Sequence, residues 1–280
     1  MSSKIDPDKI FSNKLSQLNT CHKVIFKFQD LLTDIELEKY YSYFEVLILK
    51  YQMKSISLMN LLKGSKYEQM DFIDIPSLFI LLRGLIENYL MFNYLYIEPS
   101  SKDETYFRTL IYQRSGLLNR QQYSAIPKDH PILIKEAVEI EELTTLIEKN
   151  PLYQNLDKKK RTRIKAKATS SNYIEIMNSS KLKNTDFITF WKLCSNFAHS
   201  EYISGMQIRT IYIDKTNPND LFLYKHNILL HSLYLIVLII EDFRSMFPQL
   251  NDYYDKDPNN IKSIANEFNI LDYNTRIKSF

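Results

Sequence analysis

Three pairs of polar residues stand four positions apart inside otherwise apolar stretches: Arg83 with Glu87, Ser195 with His199, and Asn227 with His231. On a helix this spacing puts both members of a pair on one face. A charge among apolar side chains is costly unless it is paired or opens to solvent, so Arg83 and Glu87 need partners. They read either as a structural ion pair that fixes helix register, or as an anion-binding guanidinium with a carboxylate orienting its neighbour. Ser195 and His199 share a short segment with Lys192 and Asn196. Imidazole is the side chain whose ordinary pKa suits proton transfer near neutrality, and a packing or capping histidine is the alternative. Asn227 and His231 read as a hydrogen bond satisfied within a core. Glu87, His199 and His231 are also the residues from which a bundle could assemble a metal site, although no Glu-x-x-His pair accompanies them.

Composition removes several competing chemistries. Only four glycines, Gly64, Gly84, Gly116 and Gly205, are spread over 280 residues, so no glycine-rich phosphate loop is present. The same scarcity argues against a turn-rich β-sandwich or barrel. There is no GxSxG turn to build a serine hydrolase around Ser195. Cys21 and Cys194 match no metal-ligand spacing and are expected to be reduced thiols of a cytoplasmic protein. The net charge of +3 is too small to imply nucleic acid or anionic lipid, so clustering must carry any such case. The longest apolar run, Ile228–Ile240, contains His231 and Ser232 and falls short of the ~20 apolar residues of a membrane span. No membrane association is expected.

The elements that must position these residues are helices. Ile10, Phe11, Leu15, Leu18, Val24, Ile25 and Phe28 recur at helical spacing after Asp6-Pro7, and a second helix is expected from Asp34 to Leu62, stopped by Gly64. The third, Pro76 to Ile97, is apolar on nearly every side and belongs at the centre of a bundle. Helices follow over 102–122, with Arg108, Arg114 and Arg120, and over 131–148 behind Asp129-His130-Pro131. Residues 151–182 read as a polar insertion. Asn184-Thr185-Asp186 can cap a helix bearing Phe187, Phe190, Trp191, Cys194 and Ala198. The β-branched stretch 207–213, the turn Asn217-Pro218-Asn219-Asp220 and Leu221–Tyr224 suggest one small β-hairpin near 207–224, followed by a helix over 226–247. The expected architecture is mainly α: a single helical bundle over 1–250, its core at 76–247, with a polar tail over 251–280 that carries one short helix around Ile261 to Phe268.

Within the insertion, Lys158, Lys159, Lys160, Arg161, Arg163, Lys165 and Lys167 place seven cations in ten positions. Such a run can contact phosphates, each cation adding a salt-dependent increment, and is otherwise a solvated helix face. No aromatic residues are interleaved as stacking platforms.

Leu82-Arg83-Gly84-Leu85-Ile86-Glu87, followed by Cys194-Ser195-Asn196-Phe197-Ala198-His199-Ser200, resembles a group of bacterial helical proteins filed as a domain of unknown function. That group has an Arg-x3-Glu helix and a later Ser-x3-His helix, and the resemblance spans about 76–247. The group is in turn similar to the HEPN superfamily (higher eukaryotes and prokaryotes nucleotide-binding), whose members are helical bundles, often dimeric. Many are metal-independent ribonucleases of toxin–antitoxin or antiphage systems that use an Arg-x4-6-His motif. In this chain the arginine positions before His199 hold Cys194, Leu193 and Lys192, and a lysine lacks the planar fork that clamps a phosphate bidentately. Arg83 could replace it if its helix faces that of His199.

The resemblance implies an RNA-directed protein of a defence or toxin system. His199 would move the proton of a ribose 2′-hydroxyl, Arg83 and Lys192 would hold the phosphate, and Ser195 and Glu87 would orient them, with no cofactor or metal. It also implies RNA, a second copy of the chain and an antitoxin-type protein as partners. The alternative is a non-catalytic interaction module in which the same residues form a structural polar network.

Overall fold

The computed structural model describes residues 6–33, 35, 37–41, 43–166, 172–183, 185–199, 201–214, 219–256 and 260–273. Asp34, Lys167, Asn184, Ser200, Asn217 and Pro218, which carried sequence expectations, lie outside them. Among the described residues the fold is mainly α, with thirteen α-helices: α1 (Pro7–Leu32), α2 (Phe44–Leu62), α3 (Ile75–Phe92), α4 (Lys102–Arg120), α5 (Pro131–Lys149), α6 (Pro151–Gln154), α7 (Lys158–Ala166), α8 (Tyr173–Ser179), α9 (Phe187–Ala198), α10 (Tyr202–Arg209), α11 (Asp220–Met246), α12 (Asn251–Lys256) and α13 (Ile261–Glu267). Local chemistry sets their ends. The Asp6 side chain accepts from Asp8 N ahead of Pro7, and the Ser101 side chain accepts from Glu104 N. His130 Nδ1 accepts from Ile132 N beside Pro131. Gly64, at φ +99°, stops α2 in a conformation that side-chain-bearing residues rarely adopt.

Two sequence expectations are corrected. The second helix starts at Phe44 rather than Asp34, after a 3₁₀ turn over Lys39–Tyr41. No hairpin forms over the described residues of 207–224. There α10 continues into a π-helical turn, Thr210–Asp214, and Leu221–Tyr224 is the first turn of α11. Ser204, Gln207, Ile208 and Ile211 turn inward at helical spacing, so packing overrides the β-preference of Ile208, Thr210, Ile211 and Ile213. The hairpin lies instead at 65–72. β1 (Ser65–Tyr67) pairs antiparallel with β2 (Met70–Phe72) through a two-residue turn in which Glu68 takes φ +54°.

The chain forms two compact units. One contains α1, α2, α3 up to Leu90, the hairpin and α9–α13. Its central helix is α11, buried continuously from Ile228 to Ile240. Phe44 on α2 lies 4.9 Å from Phe243 of α11, and Phe28 on α1 lies 6.0 Å from the same ring. The segment expected as a polar tail also enters this core: Ile261, Ile264, Ala265, Phe268 and Tyr273 are buried. The other unit comprises Leu37–Tyr43 and Met91–Ser180. Here α4 and α5 pack around Phe107, Leu110, Ile111, Leu143 and Ile147, and Tyr153 of α6 and Ile164 of α7 complete the cluster. Arg108 anchors the π-helical turn Asn93–Ile97, donating to Tyr94 O at 2.7 Å and pairing with Glu98 and Glu104.

α11, and α3 with the turn that follows it, are long and apolar enough to cross a membrane by length and composition, but 78% and 61% of their apolar windows are buried within the protein itself. Both cysteines are free and buried.

Two core histidines are held neutral by burial. His22 on α1 shares a 2.9 Å hydrogen bond with Ser55 on α2, and burial lowers its pKa to about 4. His231 sits between the Asn227 carbonyl and the Tyr273 hydroxyl, each at 2.6 Å, and its ring stacks on Phe190 at 3.7 Å. Its pKa is likewise lowered to about 4 by burial, partly offset by the Asn227 carbonyl. The unfolded chain, with histidines near 6.5, binds more protons than the native one between pH 6.5 and 4. Stability is therefore complete above pH 6.5 and is lost as pH falls through that window, by up to roughly 3 kcal/mol per histidine. Thermal melts from pH 7 to 4.5 should show a falling Tm, with the slope reduced in His231→Gln. An equal slope in that variant would contradict the assignment.

Candidate functional site

The site is built on α3 and α9, which the aromatic core brings together. Phe79 of α3 stacks on Phe197 of α9 with centroids 4.3 Å apart, and Phe190 of α9 lies 6.0 Å from the same ring. One and two turns beyond Phe79 stand Arg83 and Glu87. α9 is amphipathic: Phe187, Cys194 and Phe197 are buried, while Trp191, Ser195 and His199 lie toward its less buried side. On α3, Ile80, Arg83, Gly84 and Glu87 form a strip at helical spacing that reaches solvent. The helix is thus not apolar all round, and its charges lie on the open strip.

Arg83 Nε donates to Glu87 Oε1 at 2.9 Å. The same carboxylate oxygen accepts from Trp191 Nε1 at 3.2 Å, and the guanidinium carbon lies 5.8 Å from the indole ring. Arg83 Nη1 is 3.2 Å from His199 Nε2. A guanidinium carries donors only, so His199 Nε2 must be the acceptor and the ring proton resides on Nδ1. In this contact the Nε2 lone pair is directed into the cluster. His199 terminates α9, where its backbone N–H donates to Ser195 O at 3.1 Å, and it is exposed. The Arg83 and Glu87 side chains are 22% and 25% exposed, so the cluster opens to solvent.

The structure therefore unites Arg83, Glu87 and His199 and adds Trp191, which sequence reasoning treated as packing. It leaves two expected members out of these contacts. The Ser195 hydroxyl donates to Trp191 O at 2.9 Å, turned back onto its own helix. Lys192 is exposed and joins none of the contacts made by Arg83, Glu87 or His199 among the described residues. A metal set of Glu87, His199 and His231 does not assemble, because both His231 ring nitrogens are committed in the core. Among the described residues no group of three or more His, Cys, Asp or Glu is placed to hold a metal ion.

A further cation was missed. Lys54 of α2 reaches across to α3 and donates from Nζ to Gly84 O at 3.0 Å. Burial, then the neighbouring Lys50, lowers its pKa, and the Glu87 carboxylate acts in the opposite sense. The one available signal was Gly84, a residue without a side chain beside Arg83, which permits close approach of another element.

The basic run forms α7 in the other unit. Lys158, Lys159 and Lys160 are exposed. Arg161 is used within that unit, over the Tyr153 ring at 5.5 Å and bonded to Gln154 O, and Arg163 pairs with Glu175 at 2.8 Å.

Fold and site together define a mainly α-helical protein with a solvent-open Arg–Glu–Trp–His cluster between two helices. The chain belongs to a family of unknown function, DUF5677, whose model matches residues 46–219, a span that holds Lys54, Arg83, Glu87, Trp191 and His199. No curated protein and no solved structure matches the chain.

Trp191 is the only tryptophan, so its fluorescence reports on this cluster alone. Glu87→Ala should shift Trp191 emission to longer wavelength and raise acrylamide quenching, because it removes the indole's acceptor. Stability should fall by no more than about 1 kcal/mol, as expected for a partly exposed i,i+4 pair. Unchanged emission, or a loss of several kcal/mol, would refute this picture of the site.

Proposed function

We propose that the protein is a cytoplasmic, HEPN-like, RNA-directed protein, acting as a metal-independent endoribonuclease of a bacterial defence or toxin system. The observation that carries the reading is the Arg83 Nη1 to His199 Nε2 contact at 3.2 Å in a cluster that opens to solvent. It supplies from two helices the arginine that the local Arg-x4-6-His pattern lacks. His199 Nε2 takes the ribose 2′-hydroxyl proton as the 2′-oxygen attacks phosphorus and the 5′-oxygen leaves, water supplying the leaving oxygen's proton. The products are a 2′,3′-cyclic phosphate and a 5′-hydroxyl, and the imidazolium returns its proton to solvent. Nε2 has one lone pair, so the ribose hydroxyl must first displace the Arg83 N–H from it. The guanidinium is thereby freed toward the phosphate as negative charge develops there, while Glu87 keeps it in plane. The exposed lysines of α7 would add sequence-independent attraction for RNA, and a second copy and an antitoxin-type protein are the further partners of this reading.

A second reading, a non-catalytic interaction module, is favoured by Val46, Leu49 and Met53, which leave an exposed apolar stripe on α2. One experiment separates the two. Purified protein incubated with RNA in excess chelator should cleave it, and His199→Ala should lower the rate by about 10²–10⁴-fold, the usual share of a general base. Equal cleavage by both proteins, or none by either, would end the catalytic assignment.

A further inference from the structure

The site has a cation outside the Arg–Glu–His set, Lys54. Lys54 lies on α2, part-buried, with one N–H directed to the Gly84 carbonyl. An ammonium carries three donors, so two remain. It forms no salt bridge with a carboxylate among the described residues, although Glu87 is near enough to act on it electrostatically. Among the described residues, of the five N–H donors of Arg83, one serves Glu87 and one serves His199. The two cations, one from α2 and one from α3, meet the same strip of α3: Lys54 at the Gly84 carbonyl and Arg83 at Glu87, whose carboxylate also acts on Lys54.

We infer that Lys54 and Arg83 together bind one phosphodiester oxyanion, with Lys54 taking the phosphate-binding role that the sequence had given to Lys192. The inference rests on the RNA-directed reading for the source of the phosphate, and on the geometry alone for the anion site. Gly84 is the enabling residue. A Cβ there would stand 3.2 Å from Lys54 Nζ and 3.5 Å from its Cδ and Cε, so any side chain displaces the lysine tip from the position it now holds. Because the obstructed atoms are the end of a flexible chain, the helix itself tolerates alanine.

The test uses the full chain with two probes: inorganic phosphate, followed by Trp191 fluorescence, and a labelled 2′-O-methyl RNA oligonucleotide that cannot be cleaved, followed by anisotropy. Lys54→Gln should weaken phosphate binding about tenfold, the loss of one charge-assisted contact. It should weaken RNA binding likewise and reduce the salt slope by about one. Lys54→Arg should restore most of the affinity. Gly84→Ala, which keeps the lysine and suits the helix, should weaken both probes while leaving Tm level or higher, and it decides the matter if Lys54→Gln folds poorly. Unchanged phosphate affinity in Lys54→Gln and Gly84→Ala would overturn the inference while leaving RNA binding intact. Phosphate binding that depends on Lys54 in a protein that ignores the oligonucleotide would uphold the anion site and overturn the RNA reading. A wild-type protein that binds neither probe would overturn both.

Discussion

The stack of Phe79 on Phe197, at 4.3 Å, fixes how α3 meets α9, and the polar cluster depends on that distance. Arg83 and Glu87 follow Phe79 on successive turns, so the register set by the aromatic pair also sets where the guanidinium and carboxylate can reach. Beneath α9, Phe190 rests on the His231 ring, which is held in turn by the Asn227 carbonyl and the Tyr273 hydroxyl. The site thus stands on a core that runs through α11 to the C-terminal segment. A neutral, fully satisfied histidine in the interior supports a second histidine at the surface.

Glu87 is the organising acceptor. A single oxygen receives both the Arg83 Nε–H and the Trp191 Nε1–H, which ties a flexible side chain of α3 to a rigid one of α9. A carboxylate between two donors fixes the plane of the guanidinium more firmly than ion pairing alone, because the direction of approach is constrained as well as the distance. The orientation of Arg83 toward His199 is a consequence of that fixation. Lys54 contributes from a third helix, and its position depends on the absent side chain at Gly84.

The helices were legible because their apolar spacing is strong: Ile10 to Phe28 in α1, and Phe187 to Ala198 in α9, carry the period plainly. The pairing of Arg83 with Glu87 was legible too, since four-residue spacing on one helix needs no tertiary knowledge. In residues 207–213 β-branched identity and periodicity point to different structures, and the helical spacing of positions 204, 207, 208 and 211 is the one the packing follows. The short helix around Ile261 to Phe268 was legible from the same period, while the polarity of the tail concealed that Ile261, Ile264, Ala265 and Phe268 are buried. The hairpin at 65–72 gave no signal, since its strands are three residues each and its turn needs a strained glutamate. Lys54 could not be found by composition. It is one of two lysines on α2, with Lys50, and only its reach to the Gly84 carbonyl of α3 makes it different.

The exposure of the cluster bears on how much it contributes to folding. A buried network that specifies packing has to be sequestered, because its energetic weight comes from low dielectric and from the penalty of breaking it. Here Arg83 and Glu87 are about a quarter exposed, His199 is exposed, and an i,i+4 pair in that setting contributes only about 0.3–0.5 kcal/mol. The meeting of a guanidinium, a carboxylate, an indole and an imidazole at defined atoms thus adds little to stability. Arrangement without much stability is what a binding or catalytic site requires, because its interactions are completed when a ligand arrives.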